Sequence, residues 1–390
     1  MRQQRLNTLT ILAGSSLTVM AGATISPSLP ALTDHFADIA GAADWARRIL
    51  TVPGAFIVLT APIAGIIVDR IGPKPVFLVG LFLYVFAGTS GLWLDSITGL
   101  LVGRAGLGMA VGMIMPSCTT LVGHLFQGPE RARVLGWQMA FMGFGGVVFL
   151  TGGGLLAELS WRGPFAAYFL AVLILPGVLM LPHRKGGGQQ NEGANGFPWR
   201  ALIGVYVAAL FGMICFYSLP TQLPYLLSER GIGMPFLVGA TLGLVNLTSA
   251  VTSLNYKRLR GARSSLATLG LSITAIGFGL AITALLKPIG AMLGGLGISG
   301  IAIGLMMPTF GLMVLAEAPD DMRGRATGLL TTFIFIGQFI SADLLALVSG
   351  GGSPTTRIVI IAASAMVIGT ILSIAAILRA RRRVPLTEQE

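Results

Sequence analysis

The residues able to do chemistry are few, and they stand out because the chain around them is suited to oil. Residues 65–75 read GIIVDRIGPKP, so Asp69 and Arg70 stand side by side, with Gly72 and Lys74 close behind and an uncharged apolar run in front. Charges beside a stiff Gly-Pro turn do electrostatic work: Asp69 can pair with an arginine or accept from a helix N-terminus, a latch between elements that meet and part. A solvated turn is the plainer reading. Further candidates are Arg104 and Asp343, the latter in IGQFISADLLALVSG, because an ionisable group among apolar residues is costly. A carboxyl buried without a strong partner holds its proton to higher pH, which would suit Asp343 to proton uptake and release; an interfacial position is the alternative. Arg104 lies about seven residues, roughly 10 Å, inside its apolar run at the helical rise, where it either serves the interior or snorkels outward. Asp34 is a third candidate for proton coupling, although it and Glu158 stand near the ends of apolar runs. We find no metal-ligand spacing, nucleotide loop or nucleophile-base set, and His35, His124 and His183 all lie near run ends. No metal, cofactor or enzymatic activity is expected.

The elements that must position these groups follow from composition. Of 390 residues, 54% are hydrophobic and 11% charged, about half the charge of an average soluble domain. Twelve apolar stretches, each near the length of about twenty residues that crosses a bilayer, lie roughly at 8–30, 48–68, 75–94, 98–122, 134–157, 163–181, 201–225, 235–255, 264–286, 289–315, 326–348 and 356–379. They lack period-two alternation, so a barrel is excluded and the expected fold is an all-α membrane protein with twelve transmembrane helices. The first stretch is read as a span, although MRQQR and Ala21-Gly22-Ala23 resemble a leader with its cleavage site. Cys118 and Cys215 fall inside predicted spans four and seven and read as packing residues.

The net charge of +11 is explained by placement rather than by nucleic acid. With the N-terminus in the cytoplasm, nineteen of the twenty-six Lys and Arg residues fall on the inner side and six on the outer, which puts both termini inside. The Gly-rich polar stretch at 183–200 is the natural linker; residues 1–182 and 201–379 then form two six-helix bundles and 380–390 a tail. An offset of 192 superposes GMAVGMIMPS at 108–117 on GIAIGLMMPT at 300–309, and downstream Arg131 on Arg323, Arg133 on Arg325 and Gly145 on Gly337. Such a repeat implies bundles related by an axis along the membrane normal, with a cavity between them.

With these motifs the chain resembles the major facilitator superfamily over essentially its whole length. The family's loop motif G-x-x-x-D-R-x-G-R-K is matched by Gly65, Asp69, Arg70, Gly72 and Lys74, with Pro73 where the family prefers Arg. Its fourth-span pattern R-x-x-Q-G is matched by Arg104 and Gly108, with Leu107 in place of Gln. WRGPF at 161–165 and PDDMRGRATG at 319–328 resemble the usual starts of spans six and eleven. The resemblance implies alternating access by rocking bundles, Asp69 and Arg70 governing the cytoplasmic gate. Arg131 and Arg133 are the partners it implies for Asp69 in the same half, the N-terminus of span eleven the partner across halves. The pattern is most like the twelve-span drug/proton antiporter branch, implying proton-coupled efflux of small amphipathic compounds. That branch's G-x-x-x-G-P-x-x-G-G survives here only at Gly145, Gly153 and Gly154, with Phe149 and Leu150 at its Gly-Pro. This keeps a metabolite importer or uniporter as the alternative; a receptor without transport gives no reason for gate or repeat.

The family lines its cavity with spans one, four, seven and ten, whose polar and soft residues here include Ser26, Met113, Ser117, Tyr217, Gln222, Met306 and Thr309. Methionines near Pro116 and Pro308 suit an adaptable apolar lining, and Gln138, Asn246 and Gln338 are amides that touch substrate or join helices. The implied partners are a small-molecule substrate, protons and the lipid bilayer, for a monomer of the bacterial inner membrane.

Overall fold

The structure, a computed structural model, describes residues 2–182, 197–319 and 322–382. Most of the linker, Asp320, Asp321 and the end of the tail thus lie outside the described residues. Regular structure among the described residues is helical, and twelve helices are long and apolar enough to cross a membrane. In the first half they are span one (Gln4–His35), two (Ala42–Ile71), three (Pro73–Leu92), four (Ile97–Leu125), five (Arg133–Leu159) and six (Gly163–Met180). The second half holds span seven (Trp199–Glu229), eight (Pro235–Leu254), nine (Ser265–Leu285), ten (Ile289–Glu317), eleven (Arg323–Val348) and twelve (Pro354–Arg379). Several overrun the stretches expected from hydropathy. Span two starts at Ala42, six residues before its apolar run, because an amphipathic turn carrying Asp44, Arg47 and Arg48 extends the helix.

Local chemistry sets the breaks. Span one ends its first helix at Ala23, passes through a tight turn at Ser26–Ser28 containing Pro27, and resumes as Leu29–His35. Gly72, at φ +91° and ψ 161°, closes span two in a conformation that strains any residue with a Cβ, and Pro73 opens span three with its preset φ. Spans four and nine start on serine caps, Ser96 accepting from the Gly99 amide and Ser264 from that of Ala267.

The sequence repeat reappears as a repeat of packing. Gly108 and Gly112 let span four meet span two, where a methyl group would overlap the Pro53 carbonyl or crowd Thr60. Their equivalents Gly300 and Gly304 do the same for span ten against Val245 and Ser249 of span eight. Gly145 lies on Ser16 of span one, and Gly337 on Leu210 of span seven. The halves meet along two seams, span two on eleven and span five on eight. The offset of 192 carries one seam into the other, as a twofold axis between bundles requires.

Candidate functional site

The loop at 65–75 is built as a rigid turn. Val68 packs with Ala64 and Val76 beneath it, the Gly72 amide donates to the Val68 carbonyl at 2.8 Å, and Lys74 Nζ donates to the carbonyls of Leu179 and Leu181 at 2.6 and 2.7 Å. Lys74 thus caps the end of span six with a charge placed to match the helix dipole. Asp69 and Arg70 stand exposed at the same turn, and Gly65 has open space around it. Asp69 forms no ion pair among the described residues. Arg131 lies over Gly123, and Arg133 rests on the ring of Trp137 at 5.7 Å.

The opposite end of the molecule is polar and joined. Arg48 Nε of span two donates to Asp343 of span eleven at 2.6 Å. Asp44 accepts from Arg47 at 2.9 Å and from Arg357 of span twelve at 3.2 Å. Arg47 also donates to the Thr221 carbonyl at 3.3 Å and lies 4.1 Å over the ring of Tyr225, both on span seven. The Tyr225 hydroxyl meets Thr33 at 2.8 Å, Ser26 donates to the Pro220 carbonyl at 2.5 Å and Tyr217 to that of Gly22 at 3.1 Å. These bonds, together with Arg48–Asp343 and Arg357–Asp44, cross between the halves at this end. Arg47 and Arg357 are each only 4% exposed, so shared Asp44 balances charges removed from water. Beside this network Asp95 meets His35 at 2.7 Å and Arg162 at 2.8 Å. The His35 hydrogen bond and then the Arg162 charge hold the Asp95 carboxyl below its usual range.

For two charges the sequence left alternatives, and the structure takes one of each. Asp343 is neither deep nor unpartnered: its side chain is 43% exposed and paired with Arg48. Arg104 does not snorkel. It is 2% exposed, donates from Nη1 to the Tyr168 hydroxyl at 2.7 Å and lies 4.8 Å over the Phe165 ring, while Nε and Nη2 have no hydrogen-bond partner among the described residues. Asp34 and Glu158 are exposed at the Arg48 end.

The expected cavity residues divide by what they touch. Ser26 and Tyr217 join the halves, as described. Gln138 donates to Ser15 at 2.8 Å, tying span five to span one. Asn246 lies against Gly146 and Gln338 against Gly54, so both amides sit in the seams. Met113 turns toward Gly80, Ala64 and Val68 within its own half, and Met306 is buried under Gly212 beside Phe310. Met306 Sδ fills the space beside Gly212, while it is the Cβ of Met113 that lies on Gly80. Ser117 bonds its own helix at the Met113 carbonyl, and Thr309 meets the Tyr256 hydroxyl at 2.9 Å. Gln222 Oε1 and Gln338 Nε2 are buried with no hydrogen-bond partner among the described residues. An apolar groove of about 450 Å³ between spans three and six, lined by Leu81, Phe82, Phe86 and Trp93, lies apart from all of these.

The sequence profile of the Major Facilitator Superfamily matches residues 11–342. The chain belongs to that superfamily. It is 27% identical over 201 residues to Quinolone resistance protein NorA of Staphylococcus aureus, covering 47% of this chain and 51% of that protein. NorA of another strain is 29% identical over 115 residues, covering 30% and 29% respectively. Against the first of these the chain spans about half the relative's length. The class C Tetracycline resistance protein of Escherichia coli is 26% identical over 354 residues, 83% of this chain and 85% of that protein.

As a member of the Major Facilitator Superfamily, this is a multi-pass membrane protein whose joined end was largely invisible to motif reading. By sequence Arg47, Arg48 and Arg357 are only outer cations, and Asp44 and Tyr225 belong to no motif. The available signal was ADWARR at 43–48, an acid three and four residues before two arginines on one helical face.

Proposed function

We propose that this protein is a secondary active transporter that works by alternating access and exports small amphipathic compounds in exchange for protons. The observation that carries the reading is the asymmetry of its two ends: hydrogen bonds and ion pairs join the halves at the Arg48 end, while Asp69 at the other end stands exposed with no ion pair among the described residues. On the charge distribution the Asp69 end and both termini are cytoplasmic, in a bacterial inner membrane. The structure then corresponds to a cytoplasm-open state, and Asp69 finds its partners when that end shuts. Residues 1–182 and 201–379 act as the rocking bundles of a monomer, with 183–200 between them and 380–390 trailing. Asp343 and Asp34 we assign away from coupling, because a proton released at that exposed end returns to the side it came from. Arg104 remains as the coupling group. Its guanidinium, held inside span four against the rings of Phe165 and Tyr168, is a buried fixed charge that steers the exchange. The buried polar atoms of Gln222 and Gln338 supply hydrogen bonds to substrate, and Ser117 and Thr309, on spans four and ten, belong to its path. The names of the relatives support drug-like cargo. Proteoliposomes with an imposed pH gradient, offered quinolones and tetracyclines, test the whole reading: gradient-driven movement abolished in Arg104→Gln is expected, and movement indifferent to the gradient would refute proton coupling.

A further inference from the structure

The repeat that aligns the halves also sets their cytoplasmic turns apart. At the same offset, residues 65–74 fall on 257–266, KRLRGARSSL. Gly261 stands where the first half has Asp69, and Lys257, Arg258, Arg260 and Arg263 crowd a stretch with no acid. Two of these cations are held by their own loop rather than by a carboxylate. Arg260 Nε donates to the Arg263 carbonyl at 3.0 Å and Nη2 to Ser265 Oγ at 3.2 Å, while Arg263 Nη1 donates to the Leu259 carbonyl at 2.9 Å. Among the described residues none of the four forms an ion pair. Fixed guanidinium groups with N–H donors to spare therefore surround a surface pocket of about 550 Å³ formed by residues 258–263.

Its position selects among anions. The short helix Tyr256–Arg260 follows directly on span eight, which puts the pocket where hydrocarbon meets water. Val251, Leu254 and Leu259 are exposed on the approach, at 48%, 61% and 44%. A free phosphate gains nothing from those side chains, whereas a phospholipid can lay its acyl chains on them and its phosphodiester among the arginines. We propose that the loop at 257–265 binds the headgroup of an anionic phospholipid, which supplies in the second half the negative charge that Asp69 supplies in the first. The inference is independent of what the protein transports.

The test uses the purified full chain in mild detergent, offered equal amounts of phosphatidylglycerol and phosphatidylcholine, with retained lipid counted by native mass spectrometry. Wild type is expected to prefer phosphatidylglycerol, and a variant combining Arg258→Gln, Arg260→Gln and Arg263→Gln to lower that preference at least about fivefold, the worth of one basic residue near an anionic surface. A charge-matched variant on the same side, Arg5→Gln with Arg200→Gln and Arg379→Gln, is expected to keep it. Equal loss in both variants would reduce the effect to the diffuse field of that side and overturn the site. An unchanged preference in the loop variant overturns it directly, and displacement of the lipid by excess inorganic phosphate would make it a free-anion site instead. Should the loop variant fail to fold, the wild type decides alone: its preference must fall steeply with salt and resist inorganic phosphate.

Discussion

Asp69 is exposed while Lys74, five residues on, is anchored to span six, so removing the carboxylate charge touches no packing. Asp69→Asn is expected to leave membrane abundance unchanged and to slow transport at least about tenfold, or about 1.4 kcal/mol on one step of the cycle. Wild-type rates at equal abundance would refute the latch. Asp343 and Arg48 give a sharper experiment because each explains the other. If they are only a latch, Asp343→Asn and Arg48→Gln act alike, the double variant loses no more than either, and the cycle yields about 0.2–1 kcal/mol, as half-exposed pairs do. Loss of gradient-driven accumulation in Asp343→Asn alone would return the acid to the proton path. Asp95 carries a pH dependence of definite sign. Its carboxyl is held below the usual range by His35 and Arg162, so the stability it adds is present above its unfolded value and lost as pH falls through the folded one. Melting curves of wild type and Asp95→Asn are expected to differ at neutral pH and to converge below about pH 4; a gap that widens in acid contradicts this. What the sequence could not show at this scale was pairing. Asp44 and Arg357 are 313 residues apart, and a single sequence carries no trace of which outer cation faces which acid.

Helices and their contacts were far more legible, since twelve apolar runs and a repeat are one-dimensional signals. The repeat pointed to glycines, and the packing gives the reason: at 108, 112, 300 and 304 a neighbouring helix occupies the space a side chain would need. Gly136 and Gly328, which align equally well, face open space. Matching letters therefore did not separate glycines that set helix distance from those that do not. Gly108→Val is expected to destabilise the protein by about 1–3 kcal/mol through overpacking, and Gly136→Val to change it by less than about 0.5 kcal/mol. Thermal denaturation in a fixed detergent compares them, and equal losses would show that the close approach of spans two and four is not rigid. Buried polar residues were less legible. Gln338 and Asn246 read equally as substrate contacts or as joints, and only the opposing Gly54 and Gly146 place both in the seams. Arg104 needed the rings of Phe165 and Tyr168, more than sixty residues away, to stay inside.

At the scale of the whole molecule, each half has its own core while the seams between them are narrow and lined by small residues, a combination that favours movement of bundles over movement within them. Leu150 of span five belongs to the second half's core and Phe335 of span eleven packs on the first half's, so the seams hold at mid-height while either end can open. The polar network at Arg48 and Asp343 must then break once in every cycle. That requirement can be tested without knowing the cargo's true identity. Arg48→Cys with Asp343→Cys places two thiols where the side chains now meet, and the native thiols Cys118 and Cys215 are buried beyond the reach of a reagent added to membranes. A short bifunctional thiol reagent is expected to join the pair and lower transport at least about tenfold, with recovery when a reducible cross-linker is cleaved. Neither single-cysteine variant should respond. Binding of substrate from the Asp69 side is expected to survive the cross-link, because that end remains open while the other is tied. Full transport by a completely cross-linked protein would mean that the Arg48 end never parts, and alternating access between these two bundles would be refuted.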